Sequence, residues 1–229
     1  MDEFPNRSKK KEDVDAPPVI HWRIDKWYPD LSPEVRAKLK KFHDELVKFN
    51  RTLNLISVKT IPAADAIHFA DSILASRAIA KRGPIAEIYD FGSGNGFPGL
   101  VYAAQNPSTK VHLVEVDGRK SEFLKHMISA LALKNTTVHI QTVESLPDGS
   151  VPCAMSRGFA PIAKAILLAR KTVRKGGIYY HLKSEEWATE VSQIPIQLCS
   201  YWTPSLVEEY KLPIGEIRFN VVQTLKVAD

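Results

Sequence analysis

Asp90-Phe91-Gly92-Ser93-Gly94-Asn95-Gly96-Phe97-Pro98-Gly99 is the stretch whose reading decides the fold. It follows an apolar run, Ile85 to Tyr89, that reads as a buried strand. It leads into Leu100-Val101-Tyr102-Ala103-Ala104, which reads as the start of a helix. Strand, glycine-rich turn and helix is the layout of a nucleotide-type site in a doubly wound α/β domain. Glycines keep such a turn tight and let a ligand approach the backbone, because no Cβ stands in the way.

Asp90 separates the two ligand classes that use this turn. A dinucleotide sets its pyrophosphate on the helix N-terminus, where N–H groups and the helix dipole favour negative charge. A carboxylate beside that anion is unwelcome. S-adenosylmethionine carries a sulfonium and an ammonium instead, and an acid beside the turn suits both. Asp90-x-Gly92-x-Gly94-x-Gly96 therefore favours the methyl donor, although Gly94 to Gly99 also fits the dinucleotide pattern letter by letter. The turn residues Asp90, Gly92, Ser93, Gly94, Phe97 and Pro98 are the expected seat of the ligand.

Working outward, Val111 to Val116 reads as the second core strand. Glu115 lies 25 residues beyond Asp90, where an acid commonly takes ribose hydroxyls. Asp117 is a rival, and a solvated strand-end acid is the plain alternative. Gly118-Arg119-Lys120 opens the next helix, whose apolar face holds Phe123, Leu124, Met127, Ile128 and Leu131. Cations at a helix N-terminus oppose the dipole, so Arg119 and Lys120 either hold a phosphate or are ordinary surface bases. Thr137 to Val143 reads as strand three, ended by Glu144; Val143 and Glu144 are expected along the adenine. Strand four is Cys153 to Ser156, and its end, Ser156 to Pro161, falls at the mouth of the site. A helix from Ile162 to Val173, ended by Gly176-Gly177, precedes strand five, Ile178 to Leu182, from which Lys183 emerges. Trp187 is placed on a short helix. Ile196 to Tyr201, Ser205 to Leu212 and Ile217 to Lys226 read as strands, the last two forming a hairpin around Pro213-Ile214-Gly215.

Ahead of this core, residues 19–82 read as a helical cap. Ser32 is a suitable N-cap and Pro33 suits the first helical position. Val35, Leu39, Phe42, Leu46 and Phe49 make one apolar stripe, broken at Asn50 to Leu55. Lys38, Lys40, Lys41 and Lys48 fall off that stripe, as a solvated face or a nucleic-acid patch. A second helix is expected from about Pro62 to Lys81, carrying His68, Asp71 and Ser72. Residues 1–18 read as a disordered charged tail in which Lys9-Lys10-Lys11 could touch RNA phosphate. The domain division is thus 1–18 tail, 19–82 cap and 83–229 catalytic domain.

Bulk composition narrows the class. The chain has 229 residues, a formal net charge of +5 and a sequence pI near 9.1. That bias is compatible with a polyanionic partner. Its two cysteines, Cys153 and Cys199, give neither metal spacing nor a disulfide framework, and point to a reducing cytosol. No metal is expected. No apolar run approaches a membrane span, and no signal peptide is expected.

These segments resemble the bacterial RsmG family, also called glucose-inhibited division protein B, the 16S ribosomal RNA guanine-N7 methyltransferases. The resemblance runs from about Leu31 to Val227. It rests on Leu53-Asn54-Leu55-Ile56-Ser57-Val58, His68-x-x-Asp71-Ser72, Asp90 to Gly99 with its Phe97-Pro98-Gly99, Gly118-Arg119-Lys120-x-x-Phe123-Leu124, Val143-Glu144, Ser156-Arg157-x-Phe159-Ala160 and Leu182-Lys183. It implies a Rossmann-like class I S-adenosylmethionine-dependent methyltransferase fold: a mostly parallel seven-stranded sheet with a C-terminal antiparallel hairpin, and a helical cap in front. It implies that Gly92, Phe97, Glu115, Val143, Glu144 and Arg157 lie on the donor. By the same resemblance Arg119, Lys120 and Lys183 lie near the RNA, and His68, Asp71 and Ser72 bring the cap to the mouth. Three positions depart from the family pattern: Glu115 where Asp is usual, Gly158 for Ala and Ser184 for Gly. Guanine N7 carries a free lone pair, so no general base is expected; Arg157 is the positioning group, with a structural ion pair as its alternative. A dinucleotide-dependent oxidoreductase and a non-catalytic ribosome-binding protein are the rival functions.

Overall fold

The computed structural model describes residues 19–229; the tail of 1–18, with Lys9-Lys10-Lys11, lies outside the described residues. A short helix α1 (Ile24–Trp27) precedes α2 (Pro33–Leu53). Ser32 caps α2, its hydroxyl accepting the Val35 N–H at 3.2 Å. The stripe faces inward as expected, with Leu39, Phe42 and Leu46 fully buried. The helix does not stop at Asn50. It runs on to Leu53 because Asn50 is itself buried and bridges outward, donating to Ile56 O at 3.0 Å and accepting the Ile56 N–H at 2.8 Å. Of the off-stripe lysines, Lys38 and Lys40 are spent on i,i+4 pairs with Glu34 and Asp44.

The second cap helix is a composite. A 3-10 turn (Val58–Ala63) containing Pro62 leads into a π-helical turn (Asp65–Ala70) and then α3 (Asp71–Ala80). The widened turn presents the Ile67 carbonyl and the His68 ring sideways, a use to which such turns are often put. Residues 19–31 are fastened to it by Arg23, which forks onto the fully buried Asp65 with both contacts at 2.8 Å.

Beyond the cap come β1 (Glu87–Phe91), α4 (Gly99–Gln105), β2 (Lys110–Val114), α5 (Gly118–Ala130), β3 (Thr136–His139), β4 (Val151–Arg157), α6 (Ile162–Leu168), β5 (Val173–Lys183), α7 (Trp187–Ser192), α8 (Ile196–Cys199), β6 (Trp202–Lys211) and β7 (Arg218–Lys226). The seven strands lie in the order β3-β2-β1-β4-β5-β7-β6, parallel except for β7, which runs antiparallel to both β5 and β6. The strand order reverses between β1 and β4, so their carboxyl ends form the crevice where open α/β sheets take ligands. The cap shares one apolar cluster with the sheet face that carries α4 and α5.

Three segments differ from the sequence reading. Ile196 to Tyr201 is not a strand: Pro195 starts the helical turn α8, Leu198 is buried and Ile196 is 81% exposed, which alternation cannot produce. Strand three ends at His139, because its partner β2 ends at Val114 opposite it. The chain then crosses the crevice and enters a 3-10 turn (Val143–Ser145), so Val143 and Glu144 lie on a loop. Finally, α6 stops at Leu168, and Gly176-Gly177 lie inside the bulged start of β5 instead of ending a helix.

Candidate active site

The glycine turn closes on itself through its own side chains. Gly92 adopts φ 68°, and a Cβ there would meet Phe159 Cδ2 at 2.6 Å, so the position needs glycine for both conformation and room. Gly99 starts α4 against β1, where a Cβ would come within 2.5 Å of Asp90 Oδ2. Ser93, also buried, donates its hydroxyl to Asp90 O at 2.8 Å, so its side chain serves the turn.

Asp90 sits at the end of β1 with no exposed surface. Its Oδ2 accepts the Gly99 N–H at 3.1 Å, while Oδ1 is buried with no hydrogen-bond partner. Burial raises its pKa to about 7, against the pull of the Gly99 hydrogen bond and the Arg157 charge. A carboxyl held near its titration point with one unspent oxygen is a receptive partner for a cation.

Glu115 lies just past β2 and is only 7% exposed, so it is not a solvated strand-end acid. Its Oε2 accepts the Gly94 N–H and its Oε1 the Asp117 N–H, both at 2.8 Å. Each oxygen retains a lone pair, enough to receive two vicinal hydroxyls. The rival Asp117 is committed as the cap of α5, accepting from Arg119 N at 2.8 Å and Lys120 N at 3.1 Å. A cavity of 180 Å³ lies between these groups, lined by Gly92, Glu115, Val116, Val143, Glu144 and Phe159 among others. It is smaller than a whole ligand pocket and is walled by apolar side chains, as a flat heterocycle requires. Two larger hollows, of 470 Å³ between Arg82 and Arg174 and of 510 Å³ between Ile85 and Asn106, lie at the opposite, amino ends of the strands. They are on the wrong side of the sheet for this crevice.

Arg157 ends β4. Its Nη1 donates to Ile67 O at 3.3 Å and to Asp71 Oδ2 at 2.9 Å, and its Nη2 donates to His68 Nδ1 at 3.1 Å. Its guanidinium carbon lies 5.1 Å from the centroid of the Phe97 ring. The ion pair with Asp71 is therefore real, yet it does not exhaust the side chain: guanidinium has five N–H groups, and these contacts use three. Because arginine can only donate, His68 Nδ1 is the acceptor and Nε2 carries the proton, which it gives to Thr60 Oγ1 at 3.2 Å. Burial, then the Arg157 charge, lowers the His68 pKa to about 3, so this imidazole is neutral.

The remaining sequence candidates fall in different places. Phe97 is buried between the cap and the Arg157 guanidinium, stacked on Phe42 at 4.8 Å and edge-on to Phe69 at 4.8 Å, with Pro98 also buried. Ser72 has no exposed surface and an unpartnered hydroxyl, so it lies behind the mouth. Arg119 reaches across to Thr52 O at 3.1 Å, at the carboxyl end of α2, which relieves its unfavourable place on α5. Lys120 lies beside it. Lys183 is spent internally, donating to Ala160 O at 2.8 Å and pairing with Glu190 Oε2 at 2.7 Å. Cys153 is buried at the far end of β4 with its thiol pushed up to about 12, which leaves it no nucleophilic role. Sequence reasoning missed Phe159 and Val116 as cavity walls and Tyr210 as the second partner of Asp71. The aromatic in Phe159-Ala160 was the one available signal.

A chain 59% identical over 96% of this one and all of its own length is the ribosomal RNA small subunit methyltransferase G 3 of Bdellovibrio bacteriovorus. The methyltransferase G of Paracoccus denitrificans is 33% identical, over 68% of this chain and 80% of its own. Among solved structures, the YcgJ protein of Bacillus subtilis superposes with TM-score 0.54 at 13% identity, covering 71% of this chain and all of that one. An S-adenosylmethionine-dependent O-methyltransferase of Thermotoga maritima gives 0.52 at 16% identity, covering 82% and 72%. These structural likenesses establish the fold, the class I methyltransferase sheet. The family model described as rRNA small subunit methyltransferase G matches residues 35–207, and the chain belongs to that family.

Proposed function

We propose that this chain transfers the methyl group of S-adenosylmethionine to N7 of a guanine in the 16S RNA of the small ribosomal subunit, in the bacterial cytoplasm. The observation that carries the donor reading is Asp90: a fully buried carboxyl with one unpartnered oxygen, beside a turn that Glu115 ties down. S-adenosylmethionine supplies an electrophilic methyl on a cationic sulfur. Asp90 and the turn from Gly92 to Gly94 would hold its charged end, Glu115 its ribose, and the Val116, Val143 and Phe159 walls its adenine.

The attacking nitrogen has its lone pair free at neutral pH, so the protein needs to align and to exclude water, not to abstract a proton. The residues agree with that demand. His68 is neutral with Nδ1 already taken by Arg157, and the Asp71 carboxylate beside them is committed to Arg157 and Tyr210. Arg157 keeps N–H groups for a donor carboxylate or for guanine O6. Arg119 and Lys120, on the rim where α5 meets the end of α2, are the proposed phosphate contacts; Lys183 joins them only if its pair with Glu190 opens. His68 and Ser72 act from behind the mouth. The division into a cap of 19–82 and a catalytic domain of 83–229 belongs to this reading.

Two experiments test it. Calorimetry should show S-adenosylmethionine binding and no binding of a nicotinamide dinucleotide; the reverse would restore the oxidoreductase. Arg157→Ala should lose most turnover at saturating donor and RNA, and near-normal turnover would remove its assigned role. Donor binding without transfer to any small-subunit substrate would instead favour a non-catalytic ribosome-binding protein.

A further inference from the structure

We propose that Tyr210 and Asp71 are positioning residues for the reaction: together they hold the Arg157 guanidinium over the Phe97 ring and, through it, fix His68 in a single tautomer. This inference rests on the reading of Arg157 as the group that orients donor or guanine.

Tyr210 stands on β6, the edge strand of the C-terminal hairpin, far in sequence from the glycine turn. Its Oη donates to Asp71 Oδ1 at 2.6 Å, and Asp71 Oδ2 takes the Arg157 Nη1 at 2.9 Å. Both Tyr210 and Asp71 are buried, at 7% and 1% exposure, so neither contact is shared with solvent. Every bond in the chain has a defined direction. Tyr210 gives to Asp71, Arg157 gives to Asp71 and His68, His68 gives to Thr60, and the Thr60 hydroxyl gives to Ser57 O at 2.8 Å. The chain thus joins the hairpin, the first residue of α3, the end of β4 and the loop after α2.

The division of labour on Asp71 is what matters. Each carboxylate oxygen has one strong partner, so Asp71 offers Arg157 a single oxygen. That leaves Nη2 free to face His68 and Nη1 free to reach Ile67 O. Without the Tyr210 hydroxyl, a buried Oδ1 would be unpaired, which is costly for a carboxylate. The carboxylate can then turn and take the guanidinium with both oxygens, as a fork. Nη2 is drawn off His68 Nδ1, and the imidazole is released to either tautomer. Burial and the neighbouring Asp71 keep the Tyr210 hydroxyl protonated, so the donor is always present.

The test is Tyr210→Phe in the full chain, read in two ways. Ring-nitrogen NMR of wild-type protein should show His68 with Nδ1 unprotonated and Nε2 protonated; in Tyr210→Phe the signals should move toward a mixture. Turnover should fall about tenfold in kcat, with KM for RNA near wild type and the protein still fully folded at the assay temperature. Asp71→Asn should lose more, about a hundredfold. Glu208→Gln breaks the exposed Lys81 pair on the same strand and should leave kcat unchanged, which separates positioning from a loosened hairpin. A Tyr210→Phe protein with the wild-type His68 pattern, or with wild-type kcat, overturns the inference. Normal turnover in Arg157→Ala would sink the underlying reading instead. An inactive Arg157→Ala beside a fully active Tyr210→Phe would sink this inference alone.

Discussion

The Gly94 N–H donates to Glu115 Oε2 at 2.8 Å, so the first acid after β2 holds the glycine turn before any ligand arrives. Glu115 is structural and receptive at once. Glu115→Ala leaves two N–H groups, on half-buried Gly94 and on exposed Asp117, without their acceptor. The expected cost is about 2 kcal/mol of stability together with a rise of more than about tenfold in donor Kd, measured by denaturant titration and calorimetry. Glu115→Asp, which keeps the carboxylate on a side chain one methylene shorter, should retain most of the affinity.

Asp90 predicts a pH dependence of donor binding. Its folded pKa, about 7, lies above the ordinary carboxylate value because of burial. Between that ordinary value and pH 7 the folded protein binds the extra proton, so this group favours the folded state there and the contribution is lost as pH rises through 7. A cationic ligand needs the ionised form and must displace the proton. Donor affinity should therefore rise from pH 6 to pH 8, and Asp90→Asn should abolish the slope. A slope that survives in Asp90→Asn would assign it to another group.

Gly92 tests whether the turn is shaped for a ligand or only for itself. Gly92→Ala forces a Cβ onto Phe159 and keeps a left-handed φ. It should cost about 1–2 kcal/mol and weaken donor binding by pushing the ring into the cavity. Adding Phe159→Leu should restore part of the stability, because the close contact is with the ring.

Arg23 and Asp65 join residues 19–31 to the π-helical turn. Asp65 is fully buried and Arg23 supplies both of its side-chain contacts. Arg23→Ala strands the charge, and unfolding should show a loss of about 3 kcal/mol. It should also disturb the presentation of His68, three residues along the same turn.

The RNA contacts have an ionic signature. Replacing Arg119 and Lys120 together with Gln should reduce the slope of log K against log salt by about 1.5, as for two released counterions. An unchanged slope would place the phosphate-binding surface elsewhere.

Much of this site was legible because it is local. Asp90 to Gly99 is one contiguous turn, and Glu115 follows it at the spacing a parallel β-α-β unit imposes. What the chain order hides is the partner of each charged group. Lys183 looks like a free cation until Glu190 on α7 is seen beside it, and Arg119 looks misplaced until it meets the end of α2. Tyr210 joins Asp71 from 139 residues away, across the closing hairpin. Phe97 sits in the glycine turn, but its ring packs into the cap, because Phe42 and Phe69 from two helices enclose it. Ile196 to Tyr201 was too short for its period to choose between strand and helix.

The central claim is the reaction itself. Labelled S-adenosylmethionine should be incubated with small ribosomal subunits and with naked 16S RNA, and the product digested to nucleosides. The account predicts label in 7-methylguanosine, lost in Arg157→Ala. Label in any other nucleoside, or no donor binding at all, would contradict it.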